Sequence, residues 1–288
     1  MPERLLICTD LDRTLIPNGT QPESSGVRDH FALLVGRPEV TLAYVSGRHR
    51  ALVETAIDHY RLPFPDFVLG DVGTSIYQLE AGQDWQRWSE WESKIASDWN
   101  GLTHSDLERR LRHLPALRLQ EEAKQNAFKL SYYVPLQSDQ AVLSKQIRQC
   151  INPTGARLRL VWSVDEKAGF GLLDVLPASA SKFHAIETLM RKRGFTETDT
   201  VFCGDSGNDI EVLASPIPAV LVANVQPDIQ ALARRLSRET SNADRLYLAQ
   251  GNFMELNGNY SAGILEGIAH YHPDTIGWMG FTLEDADA

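Results

Sequence analysis

Short runs of consecutive apolar residues occur near both ends of the chain, and each run ends abruptly at a polar cluster. These runs occupy residues 5–8, 40–45, 200–203 and 219–222. They are apolar throughout, which is the pattern of strands that helices cover on both faces of a parallel sheet. The sequence therefore predicts buried parallel strands in the two terminal parts of the chain.

Helical patterns separate these strands, so that strand and helix alternate along the chain. The helical segments cover residues 51–57, 181–194, 207–214 and 226–236. Such alternation predicts an α/β fold with a doubly wound parallel-sheet (Rossmann-like) core. In folds of this kind, ligands bind at the carboxyl ends of the strands, which is where the polar clusters of this chain lie.

The middle of the chain has a different pattern, which predicts a small α+β domain. A strand at 127–134 alternates apolar and polar residues, so its sheet should be covered on one face only. A second strand at 157–162 and helices at 104–114 and 138–150 complete this predicted domain. An insertion of this kind places an interface beside the core, and such interfaces commonly hold small-molecule pockets.

Four side chains at helical spacing, Trp85, Trp88, Trp91 and Ile95, begin this middle region. Two interpretations fit them: packing of a helix against a sheet, or a platform on which a sugar ring stacks. With this helix at its start, the insert divides the chain into three parts. They are a first core segment (residues 1–83), an inserted α+β cap (84–170) and a second core segment (171–288).

Composition and charge narrow the classes of function. The 288 residues carry a formal net charge of −10, which argues against nucleic-acid binding because that affinity depends on Lys and Arg neutralising phosphates. Cys8, Cys150 and Cys203 lie far apart, without a CxxC pair, which favours free thiols in a reducing compartment. The apolar run before Asp10 is too short for a signal peptide, and no stretch has the length of a membrane span. We expect a cytoplasmic protein.

Two carboxylates, Asp10 and Asp12, follow the first strand directly. An extended backbone lets both side chains face one site, where their repulsion raises one pKa unless a cation intervenes. Such a pair suits divided roles, with one carboxylate as nucleophile and metal ligand and the other as proton shuttle. Taken alone, the pair fits capping or turn aspartates equally well.

Two further clusters offer groups that bind an anion. Ser46-Gly47-Arg48 ends the second strand and opens a helix, where a hydroxyl and free backbone N–H groups form an anion seat. Lys182 opens a later helix, at the end that electrostatics assigns to anionic residues. A bound phosphate explains a lysine there. The plain alternatives are a serine N-cap and an exposed surface lysine.

The stretch Gly204-Asp205-Ser206-Gly207-Asn208-Asp209 carries the strongest single signal. It places two aspartates and an asparagine on a strand-to-helix turn. Oxygen ligands of this kind suit Mg²⁺, which keeps several waters and bridges to a substrate phosphate. The sequence has no His or Cys cluster that favours zinc instead. The alternative is a glycine-rich turn with capping aspartates.

Together, the four clusters resemble the motifs of the haloacid dehalogenase-like (HAD-like) superfamily of aspartyl phosphotransferases. Their order along the chain is the same, and the insert between the second and third motifs resembles the type IIB cap of that superfamily. Arg13 departs from the pattern, because many members have Gly at this position. Its side chain either alters cap closure or points to solvent.

This resemblance implies a mechanism. Asp10 attacks phosphorus and forms an aspartyl phosphate, while Asp12 protonates the leaving alcohol and then deprotonates water. Mg²⁺ is held by the Asp10 carboxylate, the Asp12 backbone carbonyl and Asp205. Asp209 and Asn208 support this metal site. General electrostatics agrees, since phosphoryl transfer depends above all on positioning and charge neutralisation.

Four stretches resemble bacterial sucrose-phosphate phosphatases more closely, at residues 70–77, 128–132, 203–209 and 259–268. The likeness spans most of the chain, including the cap, and implies a Mg²⁺-dependent phosphatase that acts on sucrose 6-phosphate. Core residues would then hold the phosphoryl group and its sugar, and cap residues the other sugar. The residues implied for substrate and phosphate are Ser46, Gly47, Arg48, Lys182, Asn208, Lys129 and Tyr132.

Alternatives remain at the level of substrate and of function class. Tyr132 also fits packing within the cap, and Lys129 a solvated strand face. Mannosylfructose phosphate, glucosylglycerol phosphate and mannosyl-3-phosphoglycerate require the same chemistry as sucrose 6-phosphate. A sugar phosphomutase would be a related enzyme. A non-catalytic sugar-binding partner of a synthase would be a different class of protein, and it has no need for Asp12, Lys182 and Asp205.

The expected partners follow from these interpretations. They are a small-molecule sugar phosphate and, beyond it, a sugar-phosphate synthase, whereas nucleic acid and membrane are not expected. The helical segment at 259–271 has no strong exposed apolar stripe, which favours a monomer.

Overall fold

Two separate sheets organise the described residues 3–80, 82–165 and 168–281 of this computed structural model. Their strands are β1 (Leu5–Thr9), β2 (Val40–Val45), β3 (Phe67–Gly70), β4 (Ser75–Gln78), β5 (Gln86–Arg87), β6 (Arg118–Leu119), β7 (Leu130–Val134), β8 (Leu158–Asp165), β9 (Phe170–Pro177), β10 (Thr200–Gly204), β11 (Ala219–Leu221) and β12 (Leu246–Leu248). The larger sheet has the order β12–β11–β10–β1–β2–β3–β4–β5, and the smaller has the order β6–β7–β9–β8.

The α-helices, which short 3₁₀ turns supplement, connect and cover these strands. They are α1 (Val27–Val35), α2 (Arg50–Tyr60), α3 (Ser89–Ala96), α4 (His104–Leu111), α5 (Gln140–Ile151), α6 (Lys182–Arg193), α7 (Ile210–Leu213), α8 (Pro227–Glu239) and α9 (Ser261–Tyr271).

The larger sheet is parallel from β12 to β3, and β4 and β5 add antiparallel strands at one edge. Leu5 and Ile7 of β1 pack in the apolar cluster that contains α1 and α9. Leu6 and Cys8 pack in a second cluster on the opposite face, with α6 and α8. Since consecutive side chains of a strand point to opposite faces, this division confirms the predicted α/β fold with a sheet covered on both faces.

The smaller sheet is antiparallel, and α4 and α5 pack on one face of it within the described residues. Leu130 and Tyr132 of β7 are buried against the helices α4 and α5. Ser131, between them, faces the other way and donates a hydrogen bond to Asp174 of β9. The cap therefore turns a polar face away from its own helices, as the alternating pattern of its strands predicts.

The boundaries of the cap differ from those predicted from the sequence. Residues 84–96, which the sequence assigned to the cap, belong with the core, because β5 pairs with β4 and Trp91 and Ile95 pack in the second core cluster. At the other end, β9 continues the cap sheet to Pro177, beyond the predicted limit at 170. The smaller sheet and the helices packed on it lie within residues 97–165 and 168–177.

The tryptophan stripe is a packing feature of the core. Helix α3 begins at Ser89, so Trp85 and Trp88 precede it, in contrast to the continuous helix expected from their spacing. Trp91 is 2% exposed, and its indole Nε1 donates to the carbonyl oxygen of Gly73 at 3.0 Å. Trp88 is buried too, so these side chains do not form an open platform for a sugar ring.

Two predictions about the chain as a whole concern its cysteines and its helices. Cys8, Cys150 and Cys203 are free, and the first and last of them are buried. Among the described residues, none of the helices combines the length and the apolar character that a membrane crossing requires.

Candidate active site

Three neighbouring parallel strands bring the predicted motifs to one edge of the core sheet. Asp10 follows β1, Ser46 follows β2 and Asp205 follows β10, and β1 lies between the other two. The Asp10 N–H continues the ladder by donating to the Cys203 carbonyl oxygen at 2.9 Å. The carboxyl ends of these strands thus place side chains far apart in sequence beside each other.

Three buried carboxylates form the centre of this edge. Asp10, Asp205 and Asp209 each contribute an oxygen, and these oxygens all lie within 4.8 Å of one another. The ammonium of Lys182 stands between two of them, with Nζ 2.9 Å from Asp10 Oδ1 and 2.7 Å from Asp209 Oδ1. The first turn of α6 therefore supplies the cation shared by Asp10 and Asp209.

Mutual repulsion and burial perturb these groups. Burial raises the pKa of Asp10 well above its ordinary value, and the neighbouring carboxylates of Asp209, Asp205 and Asp12 add to this against the opposing charge of Lys182. Burial and the Asp209 charge raise the pKa of Asp205 to about 7. Burial alone disfavours the Lys182 ammonium, but the charges of Asp10 and Asp209 more than compensate, so the pKa of Lys182 is raised. One lysine does not neutralise this cluster.

The turn after β10 is built around the Asp209 side chain. Its Oδ2 accepts hydrogen bonds from the backbone N–H groups of Asp205 and Ser206 and from the Ser206 hydroxyl. A Cβ at Gly204 would lie 2.8 Å from the Asp209 carboxyl carbon, so glycine is needed for this close approach. Asn208 lies half-buried on the same turn and accepts from the Ser206 hydroxyl at 3.0 Å.

Asp12 lies at the more open side of the cluster, where Arg48 holds it in a two-point ion pair. Arg48 Nε is 2.8 Å from Asp12 Oδ2, and Nη2 is 2.6 Å from Oδ1, which also accepts from Asn18. Burial raises the pKa of Asp12, but the hydrogen bonds and charge of Arg48, aided by Asn18 and Lys182, outweigh it and lower the pKa. Without substrate, the predicted proton shuttle is therefore held as an anion.

The second motif forms a compact turn beside this pair. Ser46 is completely buried, and its hydroxyl oxygen accepts from the Arg48 backbone N–H at 3.2 Å. The Ser46 carbonyl accepts from Val72 and the Arg48 carbonyl from Asp71, so the loop after β3 braces this turn. Gly47 is half-buried at its tip.

The two cap residues predicted to contact the sugar have different surroundings. The Lys129 ammonium reaches across to the core and pairs with Asp71 Oδ1 at 2.9 Å, with both side chains buried. Tyr132 is 2% exposed within the apolar cluster of the cap, on the sheet face that α4 and α5 cover. Its side chain therefore lies on the sheet face opposite to Ser131, away from the core, which agrees with the packing alternative and not with the predicted sugar contact.

Several contacts of the site were not predicted from the sequence, although Arg13 was noted there as a departure from the first motif. The Thr14 hydroxyl donates to Asp205 Oδ1 at 3.2 Å, and Arg13 Nε lies 3.3 Å from Oδ2 of the same carboxylate. Their position directly after the two aspartates of the first motif was the available signal. At the cap, Asn126 donates to the Thr74 hydroxyl at 3.0 Å, and only tertiary contact reveals this link.

The donor set of the cluster fits a hard divalent cation. Its three carboxylates are close, buried and more numerous than the ammonium between them, and oxygen is the ligand that such cations select. The upward shift of the Asp10 pKa, which comes first from burial and then from the neighbouring carboxylates, is consistent with this fit, since buried carboxylates without sufficient positive charge favour a proton or a metal ion.

A doubly wound sheet that gathers an aspartate pair, a serine, a lysine and an acidic turn at one edge, beneath an inserted cap, defines a HAD-like phosphoric monoester hydrolase. The match to one family model is nearly as long as the chain. The chain belongs to the sucrose-6F-phosphate phosphohydrolase family, whose model matches residues 3–272.

Individual relatives agree with this membership. A chain from Nitrosococcus oceani that carries only the general name HAD-like hydrolase is 50% identical, over 99% of this chain and 76% of its own. Sucrose-phosphatase 1 of Nicotiana tabacum is 27% identical over 93% of this chain, but the match spans only 59% of the tobacco protein. Mannosylfructose-phosphate phosphatase of Agrobacterium fabrum is 25% identical, over 92% of this chain and 96% of its own.

A solved structure extends the similarity to three dimensions. The sucrose-phosphatase of Synechocystis sp. PCC6803, in complex with sucrose and phosphate, superposes with a TM-score of 0.74 and 26% identity. The match covers 93% of this chain and 98% of that one, so it includes both the core and the cap.

Proposed function

We propose that this protein hydrolyses sucrose 6-phosphate to sucrose and phosphate in a Mg²⁺-dependent reaction through an aspartyl phosphate on Asp10. The observation that carries the proposal is the buried cluster in which Lys182 stands between Asp10 and Asp209, with Asp205 within 4.8 Å. This cluster lies at the carboxyl ends of the core strands. The family to which the chain belongs is described as sucrose-6F-phosphate phosphohydrolase.

The chemistry divides between two aspartates. In the first step, an Asp10 oxygen forms a bond to phosphorus, the bond from phosphorus to the sugar oxygen breaks, and Asp12 gives its proton to that oxygen. In the second step, water attacks the aspartyl phosphate while Asp12 takes a proton from it, which releases phosphate and restores the Asp10 carboxylate. Lys182 neutralises charge on the phosphoryl oxygens, and Ser46 and its neighbouring backbone N–H groups bind them.

The ion pair between Arg48 and Asp12 sets a condition for this mechanism. Because Arg48 holds Asp12 as an anion, Asp12 becomes an acid only when its ion pair with Arg48 loosens. A phosphorylated sugar that enters beside Arg48 offers the guanidinium another anion. Substrate binding and protonation of Asp12 are thereby linked.

Asp10, Asp205 and the backbone carbonyl of Asp12 would hold Mg²⁺, with Asp209 and Asn208 in support. When bound, the ion supplies positive charge that draws a phosphoryl group toward the cluster and lowers the repulsion between the carboxylates. The excess of carboxylates over lysine in the centre of the site supports this assignment.

The cap offers the groups for the non-phosphorylated sugar. The sheet face turned away from α4 and α5 carries Lys129 and Ser131, which are buried, and the half-buried Asp174, and the donors and acceptors of these side chains suit sugar hydroxyls. Lys129 is the member of this set that touches the core, through Asp71. We infer that this polar face, and not Tyr132, recognises the second sugar.

This activity would complete sucrose biosynthesis in the cytoplasm, after a glycosyltransferase has joined the two sugars. A sugar-phosphate synthase is therefore the partner we propose. Co-purification of the two proteins from one cell extract would support a complex between them, and two proteins that elute separately would contradict it.

The direct test is phosphate release from a panel of sugar phosphates, with and without Mg²⁺. We expect release from sucrose 6-phosphate that requires Mg²⁺, and Asp10→Asn should abolish it because an amide is a poor nucleophile. Asp58→Asn makes the same chemical change at an exposed position outside the site and should leave turnover unchanged. The absence of Mg²⁺-dependent release from every sugar phosphate would refute the proposal.

Mannosylfructose phosphate is the second candidate substrate. The relative named for this substrate matches over 96% of its own length, whereas the tobacco sucrose-phosphatase is matched over 59%. The two disaccharide phosphates differ in the sugar that the cap would contact. The ratio of kcat/KM values for the two substrates decides between them.

A further inference from the structure

Arg13 adopts a backbone conformation that side chains rarely take. Its φ of 61° lies in the left-handed region, where glycine and asparagine are the usual residues. Three hydrogen bonds hold the backbone there: the Arg13 N–H donates to Ile16 O and Asn18 Oδ1, and Arg13 O accepts from Asn224 Nδ2. The loop imposes this conformation whatever side chain it carries, so the presence of arginine calls for a reason in its side chain.

That side chain runs to a carboxylate of the acidic cluster. Arg13 Nε lies 3.3 Å from Asp205 Oδ2, and 27% of the Arg13 side chain is exposed. Asp205 is nearly buried, and its other oxygen accepts from the Thr14 hydroxyl at 3.2 Å. Thr14 alone orients one oxygen, so the guanidinium adds a second contact together with a full positive charge.

The other positively charged side chains of the site pair with other carboxylates. Lys182 lies between Asp10 and Asp209, and Arg48 is paired with Asp12. Within the described part of the chain, Arg13 is the cation at ion-pair distance from Asp205. Because a guanidinium does not lose its proton in proteins, this charge persists at every accessible pH.

We propose that Arg13 is a positioning residue that holds the Asp205 carboxylate in place and, through its charge, weakens the binding of the divalent cation at the cluster. The inference rests on the proposed Mg²⁺ site. A cation bound by Asp205 and Asp10 would lie within a few ångströms of the guanidinium, and like charges at such distances in a buried site repel strongly.

Arg13 would thus affect both the order of the Asp205 side chain and the affinity of the site for the divalent cation. Without a bound ion, the guanidinium offsets part of the carboxylate repulsion and keeps Asp205 where a ligand is needed. With an ion, the same charge opposes binding and favours release. The neutral glycine typical of this position would provide neither effect.

Two substitutions of matched strain separate charge from shape. Both Arg13→Gln and Arg13→Lys keep a side chain on the left-handed backbone, so the strain is nearly constant. Gln keeps a hydrogen-bond donor for Asp205 but has no charge, whereas Lys keeps the charge. Arg13→Asn is a third variant that removes the charge and also relieves the strain.

Mg²⁺ binding to the full chain, measured by isothermal titration calorimetry and repeated with Mn²⁺ by electron paramagnetic resonance, is the readout. We expect Arg13→Gln and Arg13→Asn to lower the Kd by about tenfold, and Arg13→Lys to stay within about twofold of the parent protein. Thermal unfolding in EDTA checks that each variant is folded. Unchanged or weaker binding by Arg13→Gln would overturn the inference.

Failure of this inference and failure of the proposed site give different results. If no folded variant, including the parent protein, binds Mg²⁺ or Mn²⁺, the metal site itself is absent and both proposals fall. If all bind with the same Kd, only the role of Arg13 is excluded. If the Kd is constant but Arg13→Gln raises KM for the sugar phosphate, Arg13 contacts substrate instead.

Discussion

Two buried lysines illustrate how the core and the cap use the same ion-pair chemistry differently. Lys182 in the core stands between two carboxylates, with a third within 4.8 Å of them. Lys129 in the cap pairs with one carboxylate, Asp71, across the boundary between the domains. The core cluster has more negative than positive charge and attracts a cation, while Lys129 ties cap to core through one ion pair with Asp71, close to the Asp174 carboxyl.

This difference in charge balance distinguishes the candidate active site from a contact between the domains. A buried pair of opposite unit charges needs no further partner, and its contribution to stability depends on its geometry. A buried cluster with excess carboxylates pushes pKa values upward, as at Asp10 and Asp205, and such perturbed groups mark functional sites. The predictions below test this contrast.

Removal of the core lysine should have the largest effect. Lys182→Met would leave Asp10 and Asp209 without their shared ammonium and the phosphoryl group without a cation. We expect kcat to fall by about 10³-fold or more and the metal-free protein to lose about 3–5 kcal/mol of unfolding free energy. Phosphate-release kinetics and urea denaturation measure the two effects. The exposed Lys145→Met should change neither, and a Lys182→Met protein with parental kcat would refute the assignment.

Removal of the cap lysine should affect stability and sugar recognition more than the chemical step. Lys129→Met leaves Asp71 buried and unpaired, so we expect a loss of about 3 kcal/mol. The KM for the sugar phosphate should rise by about 10- to 100-fold, while turnover of p-nitrophenyl phosphate, which has no sugar, changes little.

The matched control for this effect is the double variant Lys129→Met/Asp71→Asn. It removes both charges, and asparagine tolerates the left-handed backbone of residue 71, whose φ is 54°. It should recover about 1 kcal/mol or more relative to Lys129→Met. No recovery in urea denaturation would show that the two residues are not energetically coupled.

The excess charge of the core should make the metal-free protein sensitive to pH. The pKa of Asp205 is about 7 in the folded protein and about 3.9 in an unfolded chain. The folded state therefore retains a proton that the unfolded state releases between these values, so stability falls as pH rises from about 4 to 7, by about 3 kcal/mol. Denaturation in EDTA across this range measures the slope.

Two controls identify the group responsible for this slope. Asp205→Asn should reduce the decline, and saturating Mg²⁺ should flatten it, because a bound cation replaces the proton. A slope that is equal in the parent protein and in Asp205→Asn would show that another group governs it.

A half-exposed pair between the domains should have the smallest effect. Arg159 of β8 contacts Glu211 of α7 through two hydrogen bonds of 3.0 and 3.2 Å, but both side chains are about one-third exposed. Solvent screening limits such a pair, so Glu211→Gln should reduce stability by about 1 kcal/mol or less. A loss as large as that of Lys129→Met would show that exposure does not separate these contacts.

Much of the core could be predicted from the sequence because each signal was local. Continuous apolar runs locate β1, β2, β10 and β11, and the acidic and serine motifs follow these strands directly. The edge strands β4 and β5 and the short β12 were not predicted. They are only two to four residues long, and their pairing partners decide them more than their own residues do.

The cap was predicted less well, for a similar reason. The spacing of Trp88 and Trp91 is helical, but which domain receives these side chains depends on packing between distant segments. The alternation through Leu130 and Tyr132 indicated a one-faced sheet correctly. It did not tell which face the helices cover, and hence that Tyr132 lies on the face away from the core.

By itself, the sequence determined the alternation of strand and helix, the two-faced burial of the core strands and the residue types placed at their ends. These follow from periodicity and backbone preference, which neighbouring residues decide. Only the tertiary structure decided that Arg13 contacts Asp205, that Lys129 pairs with Asp71 and that Arg48 holds Asp12. Such contacts join residues that are distant in the chain, and their distances exist only once the sheet and the cap have closed around them.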